Sequence, residues 1–124
     1  MKLIGLRPML WTKEFEETID FYTNVLGFTI GHRRDDWGWA SLRKDGFEIM
    51  LSKPTEHTEF DQANFTGSFY FNTDNVEELW QNLKGKARVC YEIESFPWDM
   101  REFGIFDNNG YLLQFGQDIM KFPE

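Results

Sequence analysis

Asp45-Gly46-Phe47-Glu48-Ile49-Met50-Leu51 reads as a tight turn running into a strand, and Asn109-Gly110-Tyr111-Leu112-Leu113-Gln114-Phe115 repeats it 64 residues later. Asp-Gly is a strong two-residue hairpin signal, because both central positions of such a turn adopt positive φ. The offset pairs Gly46 with Gly110, Phe47 with Tyr111, Ile49 with Leu113, Met50 with Gln114 and Leu51 with Phe115. Working outwards, strand signals precede each copy, near 28–34 and 37–44 in the first half and near 87–93 and 101–106 in the second. A helix lies ahead of each set. Phe15, Ile19, Tyr22 and Leu26 recur at helical spacing, with Thr12 as cap, Glu14, Glu16 and Glu17 at the positive end of the dipole, and Gly27 as stop. In the second half Val76, Leu79, Trp80 and Leu83 form the stripe, Asp74 and Glu77 make a capping-box-like start, and Gly85 ends it. Strands at 3–10 and 67–73 open the halves, with Arg7 opposite Ser68 at an offset of 61.

Both halves therefore read strand–helix–three strands, and an internal repeat fixes architecture before any single element does. The expected fold is α+β: two paired βαβββ modules forming curved mixed sheets around a concave groove, with the helices on the convex side. The 124 residues suit one domain. Module one spans 1–52, a polar linker containing Pro54 spans 53–65, and module two spans 66–124.

Composition narrows the partners. The net charge of −8 argues against nucleic acid, whose grip needs clustered cations. No apolar run approaches the ~20 residues of a membrane span, and the opening residues are too briefly apolar for a signal peptide. Cys90, the single cysteine, excludes an intrachain disulfide, fits a reducing cytoplasm and defaults to buried packing. The 13 Phe, 5 Trp and 4 Tyr stand beside a mean hydropathy of −0.53. An acidic chain this rich in rings points to a planar or cationic small molecule, although an aromatic core under an acidic surface is the plainer reading.

Strand alternation assigns the faces. A two-residue turn at Asp45-Gly46 makes cross-strand partners sum to 91, so Ser41 opposes Met50 and Arg43 opposes Glu48, with Trp37 and Trp39 on the same face. An even-length loop at 107–110 places Arg101, Phe103 and Ile105 on the face of Gln114, joined by Leu112. On the opening strands Gly5, Arg7 and Met9 align in one module, and Ser68, Tyr70 and Asn72 in the other. Phe47, Ile49, Leu51, Phe69, Phe71, Leu113 and Phe115 then belong to the helix-covered core. The expected groove has Trp37, Trp39, Tyr70 and Phe103 as rings and Met9 and Met50 as adaptable fillers. Arg7, Ser41, Glu48, Ser68, Arg101 and Gln114 supply its directional contacts. Trp98, after Pro97, reads as a lid or a loop anchor, while Trp37 and Trp39 could instead pack a dimer interface or hairpin edge. Tyr91 and Glu92 read as ordinary strand residues, His32 as a surface strand residue and His57 as part of a solvated loop.

The segment from Thr18 to Phe28, TIDFYTNVLGF, resembles the first-helix signature of the vicinal oxygen chelate superfamily, which includes glyoxalase I, extradiol dioxygenases, and fosfomycin- and bleomycin-resistance proteins. Residues 96–103 and 110–117, with the 45–51 hairpin, are similar to its bleomycin-resistance-like branch. In the metal-using enzymes of the superfamily, ligands sit at four strand positions, which motif spacing carries onto Arg7, Met50, Ser68 and Gln114. A guanidinium, a thioether, a hydroxyl and an amide make a poor transition-metal set, so no metal, no other cofactor and no catalytic residue is expected. Glu48 is a displaced ligand at most, and pairing with Arg7 or Arg43 would lower its pKa rather than fit it as a general base. The resemblance implies a cytoplasmic, homodimeric protein that sequesters a planar or cationic compound, as in bleomycin resistance. The alternatives are a glyoxalase- or dioxygenase-like enzyme, or a protein-partner module with no small ligand.

Overall fold

A computed structural model describes residues 1–123. The chain forms two compact units, Met1–Ala63 and Asn64–Glu124. The first contains β1 (Met9–Trp11), α1 (Phe15–Asp20), β2 (Thr29–Arg34), β3 (Trp39–Lys44) and β4 (Phe47–Ser52). The second contains β5 (Phe69–Asn72), α2 (Val76–Leu83), β6 (Arg88–Phe96), β7 (Met100–Phe106) and β8 (Leu112–Asp118). Each unit has one four-stranded mixed sheet, ordered β1-β4-β3-β2 and β5-β8-β7-β6, so the α+β architecture and the repeat are both present. The two sheets share one register: β1 runs parallel to β4 with Met9 opposite Met50, and β5 runs parallel to β8 with Tyr70 opposite Gln114.

The first helical stripe is buried as its spacing predicts, with Phe15, Ile19, Tyr22 and Leu26 all in the core. Thr12 accepts the Glu14 N–H at 2.9 Å, and α1 continues through a π-helical turn, Phe21–Val25, before Gly27. Opposite these residues the sheet contributes Leu10, Ala40, Leu42, Ile49 and Leu51. In the second unit the cap is Asn75, one residue later than predicted, and its side chain accepts the Glu78 N–H at 3.2 Å. Val76 and Leu83 are buried on α2, which packs on β7 and β8, where Phe103, Ile105, Leu113 and Phe115 are buried too.

The Asp45-Gly46 turn has positive φ at both residues and sets the β3–β4 register as predicted, Ser41 opposite Met50 and Arg43 opposite Glu48. The β7–β8 turn differs. Asp107 donates its N–H to the Tyr111 carbonyl at 3.0 Å, and its carboxylate accepts from the N–H groups of Asn109 and Tyr111. This Asx-type arrangement makes Phe106 the partner of Leu112, leaving an odd number of residues in the loop. Every side chain of β7 is consequently on the face opposite to the predicted one.

Three smaller expectations also change. The first strand is confined to Met9–Trp11, and Leu3, Ile4 and Leu6 lie exposed ahead of it. Phe47 is at the core margin, edge-on to Phe28 at 5.7 Å. Cys90 is exposed on β6 rather than buried. Among the described residues, no helix is long and apolar enough to cross a membrane.

Candidate functional site

In each unit the sheet face away from the helix carries polar side chains, with a glutamate on each. On the first unit, Glu48 receives Arg7 Nη1–H at 2.7 Å and Arg43 Nε–H at 3.0 Å. These guanidinium groups, Arg7 before Arg43, hold the Glu48 carboxyl below its ordinary range, as their pairing predicts. Beside them are Met9, Met50 and the half-buried Trp39, while the Ser41 hydroxyl accepts the His32 N–H at 3.0 Å. Trp37 does not share that strand face: it lies in the turn before β3, exposed, with the Arg34 guanidinium 3.9 Å from its ring centre. Alternation stops where the strand stops.

On the second unit the corrected β7 register brings a different set together. Glu102 is buried, and its carboxylate accepts from three neutral donors. Tyr70 Oη–H reaches Oε1 at 3.2 Å, Trp98 Nε1–H reaches Oε1 at 3.0 Å, and Tyr91 Oη–H reaches Oε2. Gln114 Nε2–H donates to Tyr91 Oη at 3.0 Å, and the Ser68 hydroxyl donates to Gln114 Oε1. A directed chain therefore runs Ser68, Gln114, Tyr91, Glu102. Phe96 stacks on Trp98 with ring centres 4.7 Å apart and meets Tyr91 edge-on at 6.1 Å. Gly104 and Gly116 complete the face. A side chain at Gly104 would run into the Tyr91 ring, and one at Gly116 into Tyr70.

Of the residues assigned to this face from sequence, Ser68, Tyr70, Trp98 and Gln114 meet here. Arg101 and Phe103 do not, because the odd loop turns them to the helix side. Arg101 Nε and Nη2 both bind Glu77 Oε1 of α2 at 2.7 Å. Phe103 has no exposed surface and lies between Trp80 and Phe115, at 5.2 and 5.1 Å. Sequence reasoning missed Tyr91, Phe96, Glu102, Gly104 and Gly116. The available signal was the alternation Arg101-Phe103-Ile105 against Glu102-Gly104, in which the bulky apolar pair belongs to the core.

Burial, followed by the charge and hydrogen bond of Glu102, pushes the Tyr70 phenol up to about 12. Tyr91 is raised too, by burial first and then by its bond to Glu102. Both phenols keep in the folded state a proton that the unfolded chain releases from about pH 10 upwards. Their contribution to stability is therefore complete below about pH 10 and is withdrawn as pH climbs toward the Tyr70 value near 12. In Glu102→Gln the charge goes while burial stays, so the Tyr70 midpoint should fall toward that of a free phenol without reaching it. Nuclear magnetic resonance of Cζ-labelled tyrosine measures this, and an unmoved midpoint would remove Glu102 from Tyr70.

The sequence model of the Glyoxalase/Bleomycin resistance protein/Dioxygenase superfamily matches residues 6–115, and the chain belongs to that superfamily. It is 26% identical over 127 residues to the bleomycin resistance protein of Geobacillus stearothermophilus, covering 90% of this chain and 95% of that one. Among solved structures, TioX from Micromonospora sp. ML1 superposes with a TM-score of 0.71 at 18% identity, over 92% of this chain and 99% of TioX. A lactoylglutathione lyase from Agrobacterium tumefaciens gives 0.72 at 16% identity, over 94% and 95%. These structural likenesses establish the fold.

Motif spacing carries the superfamily's metal-ligand positions onto Arg7, Met50, Ser68 and Gln114. Arg7 is a cation bound to Glu48, Met50 offers a thioether, and Ser68 and Gln114 are bonded to each other. None of these four side chains provides imidazole, carboxylate or thiolate, so neither the Arg7 and Met50 pair of the first unit nor the Ser68 and Gln114 pair of the second suits a divalent transition ion. Among the described residues no group of three or more His, Cys, Asp or Glu side chains is placed to hold one.

Proposed function

We propose that the protein is a binding protein of the bleomycin-resistance type, which sequesters a planar or cationic compound without a resident metal. The observation that carries this reading is the buried Glu102 carboxylate, ringed by Tyr70, Tyr91 and Trp98 and supplied with neutral donors only. Rings provide stacking area and attract cations over their faces, and the overall negative charge draws cations toward the molecule. The unsuited metal positions and the relatedness to bleomycin resistance proteins support the same reading.

In this reading the two units act as one binding domain, in the cytoplasm, as a homodimer. Leu3, Ile4 and Leu6 form an apolar arm with over 90% of their surface exposed, which a second subunit would cover. Light scattering should return the mass of a dimer, and elemental analysis no stoichiometric zinc, nickel or iron. A monomer, or one bound metal per chain, would overturn that part.

The ligand test is a fluorescence titration of the wild-type protein with bleomycin and a series of planar cations, at low and high salt. Binding should weaken as salt rises, since exposed charges are screened over ~10 Å at 0.1 M. If no compound binds at millimolar concentration, the sequestration reading fails.

A further inference from the structure

We infer that the Ser68 hydroxyl oxygen is a specificity-determining acceptor: it is held so that it can only receive a hydrogen bond, and it selects a flat cation that brings an N–H donor over one whose nitrogens are fully alkylated. The inference deepens the binding reading above and rests on it.

Protons are ordered outward from Glu102. A carboxylate has no proton to give, so every group bonded to it must donate. Tyr91 does so, through Oη to Glu102 Oε2. A phenol carries one proton, and with that one spent the Tyr91 oxygen can only accept from Gln114. This fixes which way the Gln114 amide faces: Nε2 lies toward Tyr91 at 3.0 Å, and Oε1 is turned to Ser68. An amide oxygen accepts only, so the Ser68 hydroxyl gives its proton to Gln114. Ser68 Oγ is left with lone pairs and no proton, and among the described residues nothing donates to it. A serine ordinarily serves in either sense by rotating its hydroxyl. Here rotation would break the bond to Gln114 and leave an amide oxygen unpaired.

The two ends of this row differ in access. Glu102 is only 4% exposed, whereas Ser68, just ahead of β5, is half-buried, as is Gln114. The row therefore carries the proton order imposed by a buried charge to an oxygen that a ligand can reach. Hydrogen bonds in series also polarise one another, which strengthens the last acceptor. A ligand N–H satisfies that oxygen. An ether, carbonyl or dialkylamino group in the same place leaves it desolvated and unpaired, and a site built to hydrogen-bond one ligand rejects the analogue that lacks the group. Gln114 keeps a second N–H, so the selectivity has to be read at Ser68 itself.

The experiment compares thionine, a flat phenothiazinium cation with two primary amines, with methylene blue, the same cation with both amines dimethylated. Each dye is titrated by its fluorescence with wild type, Ser68→Ala, Ser68→Thr and Glu102→Gln, with near-ultraviolet circular dichroism confirming that each protein is folded. Both dyes carry one positive charge, so general attraction to the acidic protein cancels in the ratio of their affinities. Wild type should favour thionine about tenfold, the scale of one hydrogen bond from a charged donor. Ser68→Ala should bring the ratio near one by weakening thionine, and Ser68→Thr should keep it. Glu102→Gln leaves Ser68 in place but removes the carboxylate that orders the protons, so the ratio should fall there too. A preference that survives Ser68→Ala comes from the size of the methyl groups and overturns the inference. An unchanged ratio in Glu102→Gln overturns it as well, since Ser68 would then not be ordered from Glu102. If wild type binds both dyes equally, the inference falls while the binding reading stands. If it binds neither, the inference fails alone when bleomycin or another planar cation binds, and together with the binding reading when none does.

Discussion

Phe103→Ala should cost about 3–5 kcal/mol of folding stability, the range for removing a fully buried ring from a packed core. The side chain has no exposed surface and is stacked on Phe115, with ring centres 5.1 Å apart and planes within 17°. Trp80 of α2 closes on its other side at 5.2 Å. No neighbouring chain is positioned to collapse into the space, because Ile105, Leu113 and Phe115 are themselves fixed by the sheet register. The measurement is urea denaturation, in which the midpoint should fall with little change in slope. The outcome separates two placements of this residue. A Phe103 on the ligand face would lose affinity on truncation and little stability. A stability change below about 1 kcal/mol, well short of the core range, would return Phe103 to the ligand face and undo the β7 register.

That register is where the sequence stops being legible. The Asp45-Gly46 turn specifies its own length, because two residues of positive φ close a hairpin in only a few ways. Trp39 opposite Ser52 and Arg43 opposite Glu48 follow from it without further information. The helical stripes are legible for the same reason: Phe15, Ile19, Tyr22 and Leu26 define a buried side whatever the cap does. Asp107-Asn108-Asn109-Gly110 gives no such constraint. Its geometry depends on whether the Asp107 carboxylate turns back onto the Asn109 and Tyr111 N–H groups, and one residue of loop length decides which half of β7 meets solvent. The error passes directly into the site. Tyr70 and Gln114 are on strands whose faces the repeat fixes, and Ser68, just ahead of β5, joins them through its bond to Gln114. Glu102 and Gly104 lie on the strand the loop inverts. Tyr91 and Phe96 are on β6, where register shifts beside Tyr91 break simple alternation.

Gly104→Ala should destabilise the fold by about 1–3 kcal/mol, the usual cost of forcing an extra carbon into a packed contact. In an ordinary strand the same change would help, since glycine gives up more backbone freedom than alanine on folding, by roughly 0.5–1 kcal/mol. The sign is reversed here because a Cβ at Gly104 would lie 2.8 Å from Tyr91 Cδ1 and closer still to Cε1. The ring has little room to yield. It is edge-on to Phe96 at 6.1 Å and held through its hydroxyl by Gln114 at 3.0 Å and by Glu102. Gly116→Ala makes the comparison. There the added carbon meets Tyr70, which is 39% exposed and can swing toward solvent, so that variant should lose the Tyr70–Glu102 bond with a smaller stability cost. The decisive measurement is a double-mutant cycle with Tyr91→Ala. Once the ring is gone, Gly104→Ala should become neutral or stabilising, which appears as a coupling energy on the order of 1–3 kcal/mol between residues in contact. Additive behaviour would mean that the Tyr91 ring does not lie over Gly104. The hydrogen-bonded face built on Glu102 would then have to be redrawn from β6 onwards.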